Sequence, residues 1–244
     1  MDLTNTNYVS ERINPLPGEP FYLHLSDLLL GLRQDAATEE RITVLDYGCG
    51  GSPYRPLFPN ADYVRADLSD TAGIDCEIGA DGSIAADPES FDLILSTQVL
   101  EHVGDVSRYL KNCFDLLRSG GKLVLTTHGT FEDHSCPYDY YRWTTDGIRR
   151  DVTLAGFEVL SVKKLTTGGR ALALLMRTKL HLLAGRRRGS FGLFFSGVSH
   201  VLTRLAGVID IWCDLELAGS RVVDASEAGH TIYIAVLVIG RKSL

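Results

Sequence analysis

The sequence has little of what marks several classes of protein. Its five cysteines are scattered and form no Cys-x-x-Cys pair, which argues against a disulfide framework or a zinc finger. No stretch offers the ~20 uninterrupted apolar residues of a membrane span, since Arg204 and Asp210 break the longest candidate. An excess of positive charge is also missing. The net charge of −7 argues against nonspecific nucleic-acid binding as the main role.

The amino-terminal residues are not those expected of a targeting signal. The first of them, MDLTNTNYVSERINP, are polar and contain no apolar signal core, so we expect a cytoplasmic protein. The chain has 244 residues and a hydrophobic content of 45%, enough for one sizeable core with additional elements. We therefore predict a single domain over residues 1–244, with a helical cap over 1–40 and a helical insertion over 168–229.

A glycine turn follows the first apolar run, in the segment VLDYGCGGS at residues 44–52. Glycine is needed there because backbone N–H groups must approach a ligand closely, at dihedral angles that a Cβ forbids. The third glycine of a dinucleotide fingerprint is missing at Ser52-Pro53, which argues against a nicotinamide-dependent oxidoreductase. A short turn preceded by the carboxylate of Asp46 suits a cationic ligand without phosphate, such as S-adenosylmethionine.

Further acidic residues follow at the ends of later segments. A second predicted strand, YVRADLS, ends at Asp67, and the turn GADG carries Asp81. A carboxylate in the position of Asp67 typically accepts hydrogen bonds from ribose hydroxyls. The chain resembles the class I S-adenosylmethionine-dependent methyltransferases, in particular the type 11 branch. The resemblance is carried by the segments VLDYGCGG, YVRADLS, GADGSIAADPESFDLILSTQVLEHV and LLRSGGKLVLTT. The resemblance covers residues 42–165.

The resemblance implies a set of cofactor-binding residues. By motif, the glycine turn would hold the methionine end, Asp67 the ribose, and Asp81 with Gly82 the adenine. Pro53 and Pro56 depart from the family pattern and should shorten the helix after the turn. The residues implied to contact the cofactor are Asp46, Gly48, Gly50, Asp67, Leu68, Asp81, Gly82, Gln98 and His102.

The predicted fold is α/β. Apolar residues at helical spacing from Tyr22 to Leu32 predict a helix before the first strand. A second apolar stripe predicts a helix after a cap at Asp105, stopped by Gly120-Gly121, and another should run from Thr144 or Thr145 to Gly156. Alternation of strands and helices predicts a Rossmann-like, mostly parallel sheet covered on both faces. The resemblance implies seven strands, of which the last is antiparallel.

The insertion at residues 168–229 has three open interpretations. Residues 171–183 are mostly apolar and predicted helical, a basic segment follows at residues 185–189, and residues 191–217 are again apolar-rich. The insertion could cover the substrate or form a homodimer surface, or it could complete the core. It could also lie on a membrane surface, with the arginines facing anionic lipid.

The catalytic chemistry is predicted in the segment after the fifth strand. Ligands of open α/β sheets bind beyond the carboxyl ends of the strands, and residues 127–144 are rich in histidine, acid and aromatic residues. Transfer to a hydroxyl requires a proton acceptor, for which His128 and His134 are candidates. Asp133 or Asp139 could orient the histidine. Alternatively, these histidines only bond the backbone of a loop.

The segment YDYYRWT also resembles a signature of type 11 methyltransferases, many of which look associated with bacterial glycan or natural-product pathways. Tyr138, Tyr140 and Tyr141 are predicted to line the acceptor, and Arg142 to bind a carboxylate or phosphate on it. Alternatively, Arg142 pairs with Asp139 and locks the loop, and Trp143 packs in the core.

These observations predict an enzyme that uses S-adenosylmethionine to methylate a small molecule or a glycan, most often at oxygen. No metal is expected, because the potential ligands between Glu132 and Asp139 show no fixed helical spacing. Two alternatives stay open: a catalytically silent methyltransferase fold that serves as a binding subunit, and a nucleic-acid methyltransferase. The acidic balance and the lack of an Asn/Asp-Pro-Pro-Tyr signature after the fourth strand count against the second.

Overall fold

The computed structural model describes most of the chain: residues 6–68, 71–79, 82–135, 138–186, 201 and 205–243. Its strands are β1 (Thr43–Tyr47), β2 (Asp62–Asp67), β3 (Cys76–Glu77), β4 (Phe91–Thr97), β5 (Leu117–His128), β6 (Glu158–Thr167), β7 (Val222–Asp224) and β8 (Tyr233–Arg241). Its α-helices are α1 (Thr6–Ile13), α2 (Tyr22–Asp35), α3 (Val106–Leu116), α4 (Thr145–Leu154), α5 (Gly168–Arg186) and α6 (205–216).

The strands form one sheet in the order β3-β2-β1-β4-β5-β8-β6-β7. Neighbours from β3 to β5 pair parallel, whereas β8 pairs antiparallel with both β5 and β6. The predicted α/β class, with an antiparallel last strand, is confirmed. The sheet has eight strands rather than seven, because residues 222–224 of the insertion add β7 antiparallel to β6.

Helices cover both faces of the sheet. On one face, α3 and α4 bury Leu110 and Ile148 in a cluster with the strand residues Leu45 and Ile94. On the other face, α2 packs Leu28 and its neighbours against β1, β4 and β8. Burial of both faces explains why the parallel strands read as nearly continuous apolar runs.

Local signals set the helix ends. The side chain of Asp105 caps α3 by accepting from the backbone N–H of Arg108, and Thr144 caps α4 by accepting from Gly147. The predicted stop at Gly120-Gly121 is wrong, because α3 ends at Leu116 and the glycines lie inside β5. Gly120 adopts a φ of +80° there, next to a register shift between β4 and β5.

A buried ion network fixes the insertion to α2. The guanidinium of Arg170 on α5 is fully buried and donates to both carboxylate oxygens of Asp27, at 3.0 and 2.8 Å, and to Asp214 at 2.9 Å. Arg221 also donates to Asp27, at 2.8 Å, and Tyr22 donates to Asp214. The network joins α2, α5 and α6, so these helices form one unit beside the carboxyl end of β5.

None of the helices in the described ranges has the length and hydropathy that a bilayer crossing requires.

Candidate active site

The turn after β1 is built on two left-handed glycines. Gly48 has a φ of +82° and Gly50 a φ of +50°. A Cβ at Gly48 would lie 2.5 Å from Cγ2 of Val99, so only glycine fits. The backbone N–H of Gly50 donates to Oδ2 of Asp67 at 2.6 Å, which ties the turn to the end of β2. The structure therefore brings the predicted residues Gly48, Gly50 and Asp67 together.

Asp46 lies beneath this turn instead of facing a ligand. Its side chain is buried and accepts a hydrogen bond from the hydroxyl of Tyr63 at 2.7 Å. Burial raises the pKa of Asp46 to about 7. The carboxylate is held inside the sheet, and its direct contact with the cofactor stays a prediction. Asp46 supports the turn by linking β1 to β2.

The remaining cofactor-contact predictions differ in how much the structure shows. Leu68, directly after Asp67, is 46% exposed. Such exposure is expected of an apolar residue that packs against the adenine of a bound cofactor. Gly82 adopts a φ of +77°, and its carbonyl accepts from the hydroxyl of Tyr47. Asp81 lies outside the described residues. The predicted short helix after the turn is confirmed, since residues 55–57 form a single 3-10 turn that includes Pro56.

Gln98 carries backbone strain and an unsatisfied acceptor. Its φ is +55°, unusual for a residue with a side chain, and its Nε2 donates to Oγ1 of Thr126 at 3.2 Å. The buried Oε1 has no hydrogen-bond partner among the described residues. Buried acceptors normally have a partner, so the orphan oxygen and the strained backbone mark Gln98 as a candidate functional residue.

A cluster of polar residues follows Gln98. Glu101, His102 and His134 each place one potential metal-ligating atom within 4.8 Å of the others. The His102 and His134 rings meet edge to face, with centroids 5.0 Å apart. Glu101 is fully buried and accepts from Oγ1 of Thr127 at 2.8 Å. His102, predicted to line the cofactor pocket, therefore faces the segment after β5.

The tautomers of the two histidines follow from their partners. Nδ1 of His102 lies 2.6 Å from the carbonyl oxygen of Tyr138, which can only accept, so Nδ1 carries the proton. Nδ1 of His134 lies 3.3 Å from the carbonyl oxygen of Glu132 and 3.5 Å from Oδ2 of Asp139. In the neutral tautomer that these contacts favour, each ring keeps the lone pair on Nε2.

His128 is buried behind this cluster and is a poor proton acceptor. Its ring stacks on Phe131 with centroids 4.4 Å apart, and Nε2 lies 3.3 Å from Oε1 of Glu101. Burial, with the nearby His24, lowers the pKa of His128 to about 2. So weak a base takes a proton only at strongly acidic pH, and the role of His128 as a catalytic base stays a prediction.

Arg142 locks the loop that carries His134. Its guanidinium pairs with both oxygens of Asp139, at 2.6 and 2.7 Å. The other donors reach the carbonyl oxygens of Phe131, Glu132 and Tyr141, so five acceptors use the full donor count. All five N–H groups are used within the loop, which favours the loop-locking alternative, and binding of the acceptor by Arg142 stays a prediction.

Asp139, rather than Asp133, orients the histidine. Oδ2 of Asp139 accepts from the backbone N–H of His134 at 2.9 Å and faces Nδ1 of the same residue. The bidentate contact from Arg142 holds the pKa of Asp139 well below its usual range, so the carboxylate is ionised. Asp133 is exposed and makes no side-chain hydrogen bond within the described residues, and its catalytic role stays a prediction.

Three exposed tyrosines line the rim next to the cluster. Tyr138, Tyr140 and Tyr141 are 61%, 50% and 41% exposed, and the rings of the first two stack at 5.6 Å. Trp143 is buried in the core, and its Nε1 donates to Asp151 at 3.0 Å. The tyrosines are free to contact an acceptor, whereas Trp143 packs structurally.

Comparison with known proteins identifies the family. A family model described as a methyltransferase domain matches residues 22–162, more than half of the chain. The chain belongs to the class I S-adenosylmethionine-dependent methyltransferases. The resemblance read from the sequence motifs is confirmed at this level.

Solved methyltransferases share the fold. Phosphoethanolamine N-methyltransferase 2 of Haemonchus contortus aligns with 99% of this chain and 59% of its own, at a TM-score of 0.55 and 16% identity. A putative methyltransferase from Bacillus halodurans aligns with 90% of this chain and all of its own, at a TM-score of 0.54 and 15% identity. At these identities the likeness shows the fold alone.

Curated relatives match a shorter part of this methyltransferase. A ubiquinone biosynthesis O-methyltransferase from Parvibaculum lavamentivorans is 37% identical in an alignment 105 residues long, with a coverage of 36% of this chain and 41% of the relative. One from Mesorhizobium japonicum is 32% identical over 108 residues, with the same coverage. The chain thus spans about two fifths of the length of these relatives.

Glu101 is the principal residue that sequence reasoning missed. It stands in the segment LEHV that helped to identify the family, but no role was predicted for it. A signal was present, since an acid between Leu100 and His102 directly after a buried strand has to find polar partners when it is buried.

Proposed function

We propose that this chain binds S-adenosylmethionine at the turn after β1 and transfers its methyl group to an oxygen of a small acceptor beside the loop after β5. Family membership supports the cofactor. The half-exposed His134, with its lone pair on Nε2 and its Nδ1 held at Asp139, is the observation that carries the acceptor chemistry.

The residues around the turn fit S-adenosylmethionine. Gly48 and Gly50 let the backbone approach a ligand, and the carboxylate of Asp67 keeps lone pairs for ribose hydroxyls while it accepts from Gly50. The unsatisfied Oε1 of Gln98 offers an acceptor to the amino group or the sulfonium side of the cofactor. Leu68 would pack on the adenine. When bound, the cofactor supplies an electrophilic methyl group.

His134 is our proposed proton acceptor. The acceptor hydroxyl loses its proton to Nε2 of His134 as its oxygen forms the new bond to the methyl carbon. The imidazolium that results is stabilised by the ionised carboxylate of Asp139, which faces Nδ1. Arg142 fixes that carboxylate, so the loop presents the histidine in one orientation.

The acceptor is proposed at the level of its reacting atom. The curated relatives are named O-methyltransferases, which supports oxygen, and their name gives no support to a glycan acceptor. The exposed rings of Tyr138, Tyr140 and Tyr141 would contact the acceptor, whether it is a glycan or a natural product. A dimer, a membrane-surface contact of the insertion and a cytoplasmic location stay predictions.

Methyl transfer from labelled S-adenosylmethionine to a panel of hydroxylated acceptors tests the proposal. The His134→Asn variant should lose about 10²–10⁴-fold in turnover while it still binds S-adenosylhomocysteine. His230→Asn is the matched control, because His230 is exposed and lies before β8. Unchanged turnover in His134→Asn would remove this residue as the base.

The silent-fold alternative has one observation in its favour. A solved [4+2]-cyclase, SpnF, aligns with 90% of this chain and 82% of its own at a TM-score of 0.53 and 18% identity. A protein with this fold can therefore be described as an enzyme other than a methyltransferase. Binding of S-adenosylhomocysteine without methyl transfer to any hydroxylated, amino or carbon acceptor would favour that alternative.

A further inference from the structure

The cluster of Glu101, His102 and His134 has the composition of a transition-metal site. One donor atom of each residue lies within 4.8 Å of the other two. Two imidazoles and one carboxylate form a set that binds zinc, iron, cobalt or manganese ions in proteins. Ligands of a tetrahedral zinc lie about 3.4 Å apart, so the three atoms have to approach one another by up to about 1.4 Å to bind one ion.

Both histidines are held as metal-ligating histidines are. A ligating imidazole typically donates its other N–H to a carbonyl or a carboxylate, which fixes the ring and the tautomer. Nδ1 of His102 is 2.6 Å from the carbonyl oxygen of Tyr138, and Nδ1 of His134 faces Asp139. Nε2 therefore presents a lone pair on each ring before any ion arrives.

Glu101 provides an independent indication. Its side chain is fully buried, and Oε2 is satisfied by the hydroxyl of Thr127. Oε1 makes no hydrogen bond within the described residues, since the nearby Nε2 of His128, at 3.3 Å, is not aligned with it. A buried carboxylate oxygen without a partner is costly, and a cation would satisfy it.

We propose that Glu101, His102 and His134 bind one divalent transition-metal ion. Mg²⁺ and Ca²⁺ prefer oxygen ligands, but two of the three ligands here are imidazole nitrogens. The site should therefore bind Zn²⁺ and similar transition-metal ions in preference to Mg²⁺ or Ca²⁺. The consequence for activity rests on the proposed function. Because Nε2 of His134 cannot hold a metal and accept a proton at once, the bound ion blocks the metal-free reaction.

The binding test uses Co²⁺ alone, added to the full chain after removal of metal by a chelator. The wild type should give one equivalent of visible Co²⁺ absorption, which Zn²⁺ then displaces and a large excess of Mg²⁺ does not. His134→Gln should weaken the binding at least tenfold, and Glu101→Gln should do the same. His230→Gln, at an exposed histidine, should leave the binding unchanged.

The outcomes separate this proposal from the proposed function. Equal Co²⁺ binding by the wild type and His134→Gln would overturn the site, as would no binding by a wild type that binds S-adenosylhomocysteine. If Glu101→Gln does not fold, His134→Gln decides, because its side chain is 38% exposed. Zn²⁺ at saturation should abolish turnover. Higher turnover with Zn²⁺ would overturn the exclusion between metal binding and proton acceptance.

Discussion

Replacing Arg170 by methionine should destabilise the whole domain. The guanidinium is fully buried, bonds both oxygens of Asp27 at 3.0 and 2.8 Å, and reaches Asp214 at 2.9 Å. Removing one partner of a buried ion pair costs about 3–5 kcal/mol, since the other charge is left without compensation. Arg221 still donates to Asp27, so we expect the lower end, about 3 kcal/mol. That is a large part of the stability of an ordinary domain.

Urea unfolding measures this loss as a lower midpoint at an unchanged slope. Arg150→Met is the matched control, because the Arg150 side chain is 71% exposed and its ion pair with Asp151 should contribute less than about 1 kcal/mol. The double variant Arg170→Met/Asp27→Leu should recover part of the loss, since no carboxylate stays buried. A loss below about 1 kcal/mol for Arg170→Met would refute the reasoning, as would a double variant no better than the single one.

Three further predictions concern the site and its surroundings. Arg142→Lys keeps the charge, but lysine cannot bond five acceptors, so the loop bearing His134 should shift. Turnover should fall at least about tenfold, whereas the affinity for S-adenosylhomocysteine, measured by calorimetry, should change little. Gly48→Ala should weaken that affinity about tenfold or more, because the φ of +82° is strained for alanine and its Cβ would meet Val99 at 2.5 Å. Burial lowers the pKa of His24 to about 4, so below about pH 6.5 the unfolded chain binds a proton at His24 that the folded chain does not. Protonation therefore favours unfolding as the pH falls. In urea titrations between pH 7.5 and 4, the wild type should lose up to ~3 kcal/mol more stability than His24→Phe.

Each of these has a matched control. Gly219→Ala should leave cofactor affinity unchanged, because nothing lies within 4 Å of a Cβ there. Arg150→Lys should leave turnover unchanged, and His230→Phe should follow the wild-type pH profile, since both residues are exposed. Equal effects of a control and its partner would contradict the structural reason given. So would a pH difference of the opposite sign for His24→Phe.

Much of the fold could be predicted because local signals and periodicity agree with it. The apolar residues after the Asp105 cap form the buried side of α3, and Pro56 shortens the segment after the glycine turn. The extra strand β7 escaped prediction because Val222–Asp224 is too short for a period to show. The stop at Gly120 was misread because a glycine with positive φ also serves a bulge inside a strand.

The sequence predicts where the candidate site lies more readily than what each of its residues does. Motifs located the turn and the loop, whereas the roles depend on which side chains meet across the loop. Arg142 and Asp139 are three residues apart and pair with each other, a contact that the notion of a substrate-binding arginine did not require. His128 is buried under Phe131, and Glu101 became relevant only through its place beneath His134. Burial and pairing of this kind depend on tertiary packing, which spacing does not report.

Titration calorimetry with S-adenosylhomocysteine tests the central claim most directly. The wild type should bind in the micromolar range, and Asp67→Ala should lose that binding, because Asp67 accepts from the N–H of Gly50 and is the residue proposed to bind the ribose. Asp62→Ala, at the exposed start of β2, is the control and should bind like the wild type. A folded wild type that does not bind would contradict the account, and the silent-fold alternative would replace it.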